Sequence, residues 1–373
     1  MSKAKQEARS GKVRYAVVGG GWIAQAAFMP GVSHTGNSEL TTLISGDPEK
    51  IRVLGDRYRV RTWRYEQYAE ALASGEFDAV YIALPNDMHK EYAVPALQAG
   101  LHVLLEKPMA TSEADCEAIM QAARDSGAKL MIAYRLHFEP ATLDAIKLVR
   151  SGGIGTPRLF SSVFTQQVAA GNHRADHGYW AGPVADMGPY PINAARMIFG
   201  AEPTEVSAVG VRDPELPFDF DHTVAVTLRF PGNRLAQFTV SYAGNPVGEY
   251  RVVGDRGDLE LNPGYTFGAG LRHRLTVGEE SSEREYPAVD QFGGELRYFS
   301  RCILEGRAPE PDGAEGLADV RILCAIERAL ATGARETIRG AGAAHPPPSP
   351  QQAEKLPAVE PPQLVDAAAP GGG

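Results

Sequence analysis

Between Val13 and about Tyr134, apolar and β-branched residues gather in short runs at 14–18, 40–44, 78–83, 102–105 and 129–133, separated by stretches of helical periodicity. Alternation of this kind predicts a parallel sheet with crossover helices on both faces. From about Gly155 the texture changes. Runs at 159–168, 205–211, 223–230, 235–242, 250–253, 259–261 and 271–277 are separated by Gly, Pro, Asn and Asp turns, with few helices between them. These predict a largely antiparallel sheet, with helices over 190–199, 290–305 and 315–332. Alternating Val224, Val226, Leu228 and Phe230 are expected on the sheet's open face, where a second copy would cover them. Beyond Gly340 the prolines at 346, 347, 348, 350, 357, 361, 362 and 370 favour polyproline II or disorder. Leu356, Val359, Leu364 and Val365 leave open the alternative of an arm docked on a neighbouring surface.

At 373 residues the chain is long for one core, and two domains are expected. A formal net charge of −9 argues against a nucleic-acid partner, which needs a basic face. No run approaches the roughly 18 apolar residues of a membrane span, and residues 1–12 are charged, without a visible secretory segment. A cytoplasmic protein is expected. Cys116, Cys302 and Cys324 are odd in number and widely spaced, which reads as reduced thiols rather than a disulfide or zinc site.

Gly19-Gly20-Gly21-Trp22-Ile23-Ala24 follows the first run directly and opens a helical pattern over 22–29, so it fits G-x-G-x-x-A in its required context. Gly19 permits the tight turn, Gly21 lets backbone approach a pyrophosphate, and Ala24 allows close helix–strand packing. The fold class is therefore α/β: an N-terminal Rossmann dinucleotide-binding domain (13–134, after an extension over 1–12) and a C-terminal α+β domain (135–340) with a large open sheet. A proline-rich tail spans 341–373.

The second strand ends in Ser45 and Gly46, where a ribose-binding carboxylate would select NAD. A small hydroxyl there, with Lys50 and Arg52 as counter-charge, favours NADP, NAD being the less favoured cofactor. The competing assignment gives Asp47 to a helix cap or the ribose and Lys50 to a solvated face. Further cofactor contacts are expected from Trp22, Ile23, Tyr65, Leu84, Pro85, Asn86, His89, Glu106, Lys107 and Arg135. Asn86 and His89 have equal claims as residues that cap or line the next helix, and Glu139 competes for Arg135. Lys107 emerges at the carboxyl end of a buried strand, in the crevice where open α/β sheets bind ligands, and Pro108 restricts the backbone beside it.

Together, Gly19 to Ala24, Pro85-Asn86 with His89, Glu106-Lys107-Pro108, Ala133 to Pro140 and Asp186-Met-Gly-Pro-Tyr-Pro-Ile-Asn193 resemble the Gfo/Idh/MocA oxidoreductases. The chain looks most similar to the glucose–fructose oxidoreductase-like and the dihydrodiol or xylose dehydrogenase-like branches, over about 13–340. Many members carry histidine at the position of Tyr190, whereas those sugar-oxidising branches carry tyrosine. Two departures stand out: the long proline-rich amino-terminal arm of the glucose–fructose enzyme has no counterpart here, and Pro189 replaces a usual aliphatic residue.

The resemblance implies hydride transfer between NADP and a sugar, aldose to aldonolactone or the reverse. Such chemistry needs a general base at the substrate hydroxyl. A phenol alone is a poor base near neutrality, and an ammonium nearby favours phenolate. Tyr190 with Lys107 supplies that pair, with Asp186 as the third catalytic residue or else as a helix cap. Tyr179, Trp180 and Asn193 join Lys107, Asp186 and Tyr190 as substrate contacts. No metal is expected: His173, Asp176 and His177 lack further ligands, and this chemistry needs none. Alternatives are a trans-dihydrodiol or 1,5-anhydrofructose type reductase and, from another class, a non-catalytic nucleotide-sensing regulator. An intact Lys107, Asp186 and Tyr190 argue against the last. A homodimer or homotetramer through the C-terminal sheet is expected.

Overall fold

The computed structural model describes residues 11–172, 174, 175, 177–340, 344–346 and 355–369. These form two compact units, one from residues within 1–138, 289–317 and 350–368, the other from residues within 139–288, 318–349 and 369–373.

The first unit is built on β1 (Val13–Val18), β2 (Ser38–Ile44), β3 (Arg61–Trp63), β4 (Ala79–Ile82), β5 (His102–Glu106) and β6 (Leu130–Ala133). All neighbours are parallel, in the order β3-β2-β1-β4-β5-β6. The chain runs outward from β1 to β3 and returns to the other side of β1 as β4. The strand order therefore reverses between β1 and β4, and the carboxyl ends there open the ligand crevice of this fold. Apolar runs bury Val17, Tyr81, Leu104 and Met131 in one core, with Phe28 stacked on Tyr81 at 3.9 Å between ring centroids.

Local signals set the helices. Asp47 accepts the Glu49 and Lys50 N–H groups and starts the helix Pro48–Tyr58; Ser112 accepts the Asp115 N–H and starts Glu113–Ser126. The helix Gln291–Leu304 returns to this unit and adds Leu296, Tyr298, Phe299 and Cys302 to its core. Residues 355–369 are docked here as well. Leu356 O accepts the Asp290 N–H, Arg57 donates to Gln363 O, and the Gln25 amide exchanges two 2.8 Å hydrogen bonds with the Val365 backbone. Of the two readings left open for the tail, the described part takes the docked one; 347–354 lie outside the described residues.

The His102 Nδ1 accepts the Lys129 N–H at 2.9 Å, and burial, aided by the Lys129 charge, pulls its imidazole down from 6.5 to about 4. The folded state thus holds this ring neutral where the unfolded chain would protonate it. Its contribution is whole above pH 6.5 and is lost as pH falls towards 4, a change of about 3 kcal/mol. His102→Gln keeps an acceptor for Lys129 but does not titrate. Its acid unfolding, followed by circular dichroism, is expected to be shallower across that window; an unchanged profile contradicts the assignment.

The second unit holds β7 (Pro157–Gln167), β8 (Glu205–Val211), β9 (Thr223–Phe230), β10 (Arg234–Ser241), β11 (Ala243–Gly254), β12 (Gly257–Leu261), β13 (Leu271–Val277), β14 (Glu280–Tyr286) and β15 (Glu336–Thr337). They form one sheet in the order β14-β13-β12-β11-β7-β10-β9-β8-β15, antiparallel apart from the parallel pair β7 and β10. The facing of β9 differs from the expectation. Val224, Val226, Leu228 and Phe230 are buried within the chain, and Phe230 meets Phe199 of the helix Pro189–Phe199 edge to face at 5.0 Å. Alternation defines two faces of a strand, and the chain's own helix covers this one. The outer face instead exposes Val209 to 70%, Val211 to 55% and Leu235 to 44%.

Candidate active site

The glycine turn lies where β1 ends beside β4. Gly19 has φ +97°, and a Cβ there would sit 2.4 Å from Ala83 O, so only glycine passes this point. A Cβ on Gly21 would meet nothing within 4 Å. Open space in front of Gly21, at the start of the helix that begins with Trp22 and Ile23, fits a pyrophosphate against the helix amino terminus. That helix widens to a π turn over Ala24–Phe28, with the Met29 N–H reaching Ala24 O, just before Pro30, which has no N–H to give. Gln25, fully buried, donates to Gly20 O at 2.8 Å and so ties the turn to the docked tail.

At the end of β2, Ser45 accepts the Asp47 N–H, and the Tyr65 ring lies against Gly46. Burial pushes the Tyr65 phenol up to about 12. Asp47 is a cap, as the competing assignment had it. Lys50 is not a solvated side chain: its stem lies over Gly20 and its ammonium is 3.3 Å from Asp47 Oδ2. Arg52, in contrast, is exposed and paired with Glu49 at 2.6 Å.

Leu84, Pro85 and Asn86 follow β4 at the same edge, and Lys107 follows β5 half-buried, joined to Pro108 by a cis peptide. His89 is fully buried. Its Nδ1 lies 2.9 Å from Pro108 O and its Nε2 3.0 Å from Leu84 O, so the ring bridges the two strand-end loops and has no nitrogen left for a ligand. Of the two roles open for His89, lining the helix is the one its contacts support.

Glu106 accepts from the Tyr81 hydroxyl at 2.6 Å and from the Lys107 N–H at 3.2 Å. Burial pushes its carboxyl up, opposed by Lys107 and Tyr81. Arg135 is buried and donates to Gln291 Oε1 at 2.5 Å, while Glu139 caps the helix Pro140–Arg150. Sequence reading missed Glu295, whose two oxygens have no hydrogen-bond partner among the described residues. Burial, with Glu106 next in weight, pushes its carboxyl well above the usual carboxylate range.

In the second unit, Asp186 lies inside the short helix Pro183–Met187, whose N-cap is Gly182, so the capping alternative does not hold. Gly188 joins this helix to Pro189–Phe199; a Cβ there would fall 2.2 Å from Val184 O. Asp186 Oδ2 accepts from Arg174 Nε and from the Tyr242 hydroxyl, both at 3.0 Å. Tyr190 comes one turn later, its ring edge-on to Phe164 at 5.4 Å and tilted to Tyr265 at 6.0 Å. Asn193 is buried on the same helix. Tyr179 donates to Leu323 O at 2.8 Å, and Trp180 packs edge-on against it. Arg174 and Tyr242 were missed: the one stood in a loop read only for metal ligands, the other at the end of an ordinary strand. Among the described residues no three potential ligands gather for a metal, and His173 and Asp176 lie outside those residues.

Comparison with known proteins agrees with this architecture. Residues 13–134 match the model of the oxidoreductase family with NAD-binding Rossmann fold, and residues 142–260 match the GFO/IDH/MocA C-terminal domain. The D-xylose 1-dehydrogenase [NADP(+)] of Haloarcula marismortui is 31% identical over 344 residues, covering 90% of this chain and 95% of the relative. The aldose-aldose oxidoreductase of Caulobacter crescentus, solved with glycerol, superposes with a TM-score of 0.81 at 34% identity, over 88% of this chain and 100% of that one. A 3-ketoreductase from Actinomadura kijaniata, solved with NADP and TDP-benzene, gives 0.79 at 26% identity, over 86% and 98%. The chain belongs to the Gfo/Idh/MocA oxidoreductase family. It is an NAD(P)-dependent oxidoreductase of two unlike domains. No helix among the described residues is long and apolar enough to cross a membrane.

Proposed function

We propose that this protein is an NADP-dependent aldose oxidoreductase, oxidising the anomeric carbon of a pyranose to a lactone or running the reverse. One observation carries the reading: Asp186 and Tyr190 stand one helical turn apart, with the Tyr190 ring walled by Phe164 and Tyr265. It is supported by relatives whose names specify D-xylose and aldoses as substrates and NADP(+) as coenzyme.

The coenzyme, when bound, supplies the hydride acceptor at its nicotinamide ring. The residues of the chain manage the rest. Gly19, Gly21 and the helix beginning at Trp22 receive the pyrophosphate, and Ser45 with Lys50 receives the 2′-phosphate, Ser45 bringing no negative charge to repel it. Tyr190 takes the proton of the anomeric hydroxyl. The Lys107 ammonium stabilises the phenolate form that accepts this proton and, in the reverse direction, polarises the carbonyl. Asp186 and Asn193 hold neighbouring hydroxyls, and Tyr179 and Trp180 form the wall of the sugar pocket. Burial disfavours charge on Glu295, and Lys107 and Arg135 oppose the same effect of burial on Glu106.

The test is steady-state turnover of single aldoses with NADP or NAD, read from nicotinamide absorbance. Activity on a pentose or hexose aldose with preference for NADP is expected; cofactor binding without turnover of any aldose points to the nucleotide-sensing class. An assembly of copies through the outer face bearing Val209, Val211 and Leu235 belongs to the same proposal. Light scattering at micromolar concentration should report at least a dimer, and a monomer contradicts it.

A further inference from the structure

The residue that holds Asp186 is an arginine in a short loop, and its geometry has consequences for the substrate. Asn172 builds that loop: its side-chain oxygen accepts the Arg174 N–H at 3.1 Å and its carbonyl accepts the Ala175 N–H at 2.9 Å, while Ala175 is buried. Arg174 thereby leaves a fixed backbone. Its Nε meets Asp186 Oδ2 at 3.0 Å, with side-chain exposures of 19% and 20% for the two partners. The same oxygen accepts from Tyr242, whose hydroxyl is also within 3.0 Å of Ala181 O. Although burial pulls the Arg174 guanidinium down, Asp186, Tyr242 and Tyr190 together raise it, so the cation lies within electrostatic reach of Tyr190.

A guanidinium offers five N–H donors in a rigid fork, and Asp186 engages the one on Nε. Asp186 is the carboxylate it meets, the Tyr242 hydroxyl also lies within hydrogen-bond reach of the guanidinium, and the side chain keeps 19% of its surface exposed. Two donors on one edge match two adjacent oxygens. The pair with Asp186 is neutral overall, so an anionic group placed there would meet the carboxylate as well as the cation. Neutral vicinal hydroxyls suit it better.

We propose that Arg174 is a substrate-binding and specificity-determining residue, fixing Asp186 through Nε and presenting its terminal N–H pair to adjacent hydroxyls of a neutral sugar. The inference rests on the aldose reading of Tyr190 and Asp186 and goes beyond it in naming the group that selects the sugar's hydroxyl pair.

The test uses the full-length protein loaded with NADP: D-xylose and D-glucose are titrated calorimetrically into wild type, Arg174→Met and Arg174→Lys, and KM and kcat are measured beside thermal unfolding. For the better-bound sugar, Arg174→Met is expected to weaken binding and raise KM by about 10- to 100-fold, as loss of charge-assisted hydrogen bonds implies. Arg174→Lys keeps the cation but not the fork, so kcat and thermal stability should recover while KM stays raised. Wild-type sugar affinity in Arg174→Met, or full recovery of KM in Arg174→Lys, overturns the proposal. If wild type binds aldoses without turning them over, the reading of Tyr190 fails while the affinities still judge Arg174. Absence of aldose binding by wild type overturns both.

Discussion

Tyr190→Phe is expected to lower kcat by about 10²- to 10⁴-fold while leaving NADPH affinity and thermal stability close to wild type. The variant removes one oxygen, and the ring keeps its edge-on contact with Phe164 and its neighbour Tyr265. The glycine turn and the end of β2, proposed to receive the coenzyme, are in the other compact unit, so titration of NADPH fluorescence reads coenzyme binding separately from proton transfer. A group that accepts the substrate proton acts in the transition state, so kcat and kcat/KM should fall together. Adding Lys107→Met to Tyr190→Phe should cost little more, because residues that act as a unit are not additive. A Tyr190→Phe enzyme with wild-type kcat excludes the phenol from the chemistry.

The second large effect is expected at Gly19. Alanine there would place its methyl 2.4 Å from Ala83 O at φ +97°. Both the clash and the left-handed backbone oppose it, so β1 and β4 would have to part where the strand order reverses. A loss of about 3 kcal/mol or more follows, with Tm lower by about 10 °C and coenzyme affinity lost. Gly21→Ala is the informative contrast. Its methyl would meet no protein atom within 4 Å, so Tm should hold while affinity falls, since the added methyl takes up room that a pyrophosphate needs. Differential scanning fluorimetry with and without NADP separates the two. Equal Tm losses in both variants, or undiminished affinity in Gly21→Ala, would show that the open space before Gly21 is not the coenzyme's.

Much of the fold was legible because burial dictates it. Strands covered on both faces must be apolar throughout, so β1, β4, β5 and β6 stand out as runs, and the glycine turn follows the first directly. The edge strands β3 and β14 escape that demand. Neither β3, Arg61–Trp63, nor β14, Glu-Ser-Ser-Glu-Arg-Glu-Tyr, carries an apolar pattern; each is a strand because its neighbour supplies hydrogen bonds. Nor can periodicity say what covers a face, and Val224 to Phe230 alternated as expected but towards the chain's own helix. The return of Gln291–Leu304 to the first core, and of Val365 to the side chain of Gln25, are contacts across hundreds of residues with no local trace. Order and spacing mark Gly19, Gly21, Lys107, Asp186 and Tyr190 as candidates. They do not mark Arg174, because a lone arginine in a polar loop looks solvated until the carboxylate it serves is known.

The central claim, that hydride passes from the anomeric carbon of an aldose to the bound nicotinamide, is tested most directly by isotope transfer. The enzyme is incubated with NADP and an aldose deuterated at its anomeric carbon, and the reduced coenzyme is analysed by mass spectrometry and proton NMR. One deuterium is expected in the nicotinamide ring, and none with sugar labelled at another carbon. Reduced coenzyme formed without that deuterium, or labelled only from another position, would contradict it.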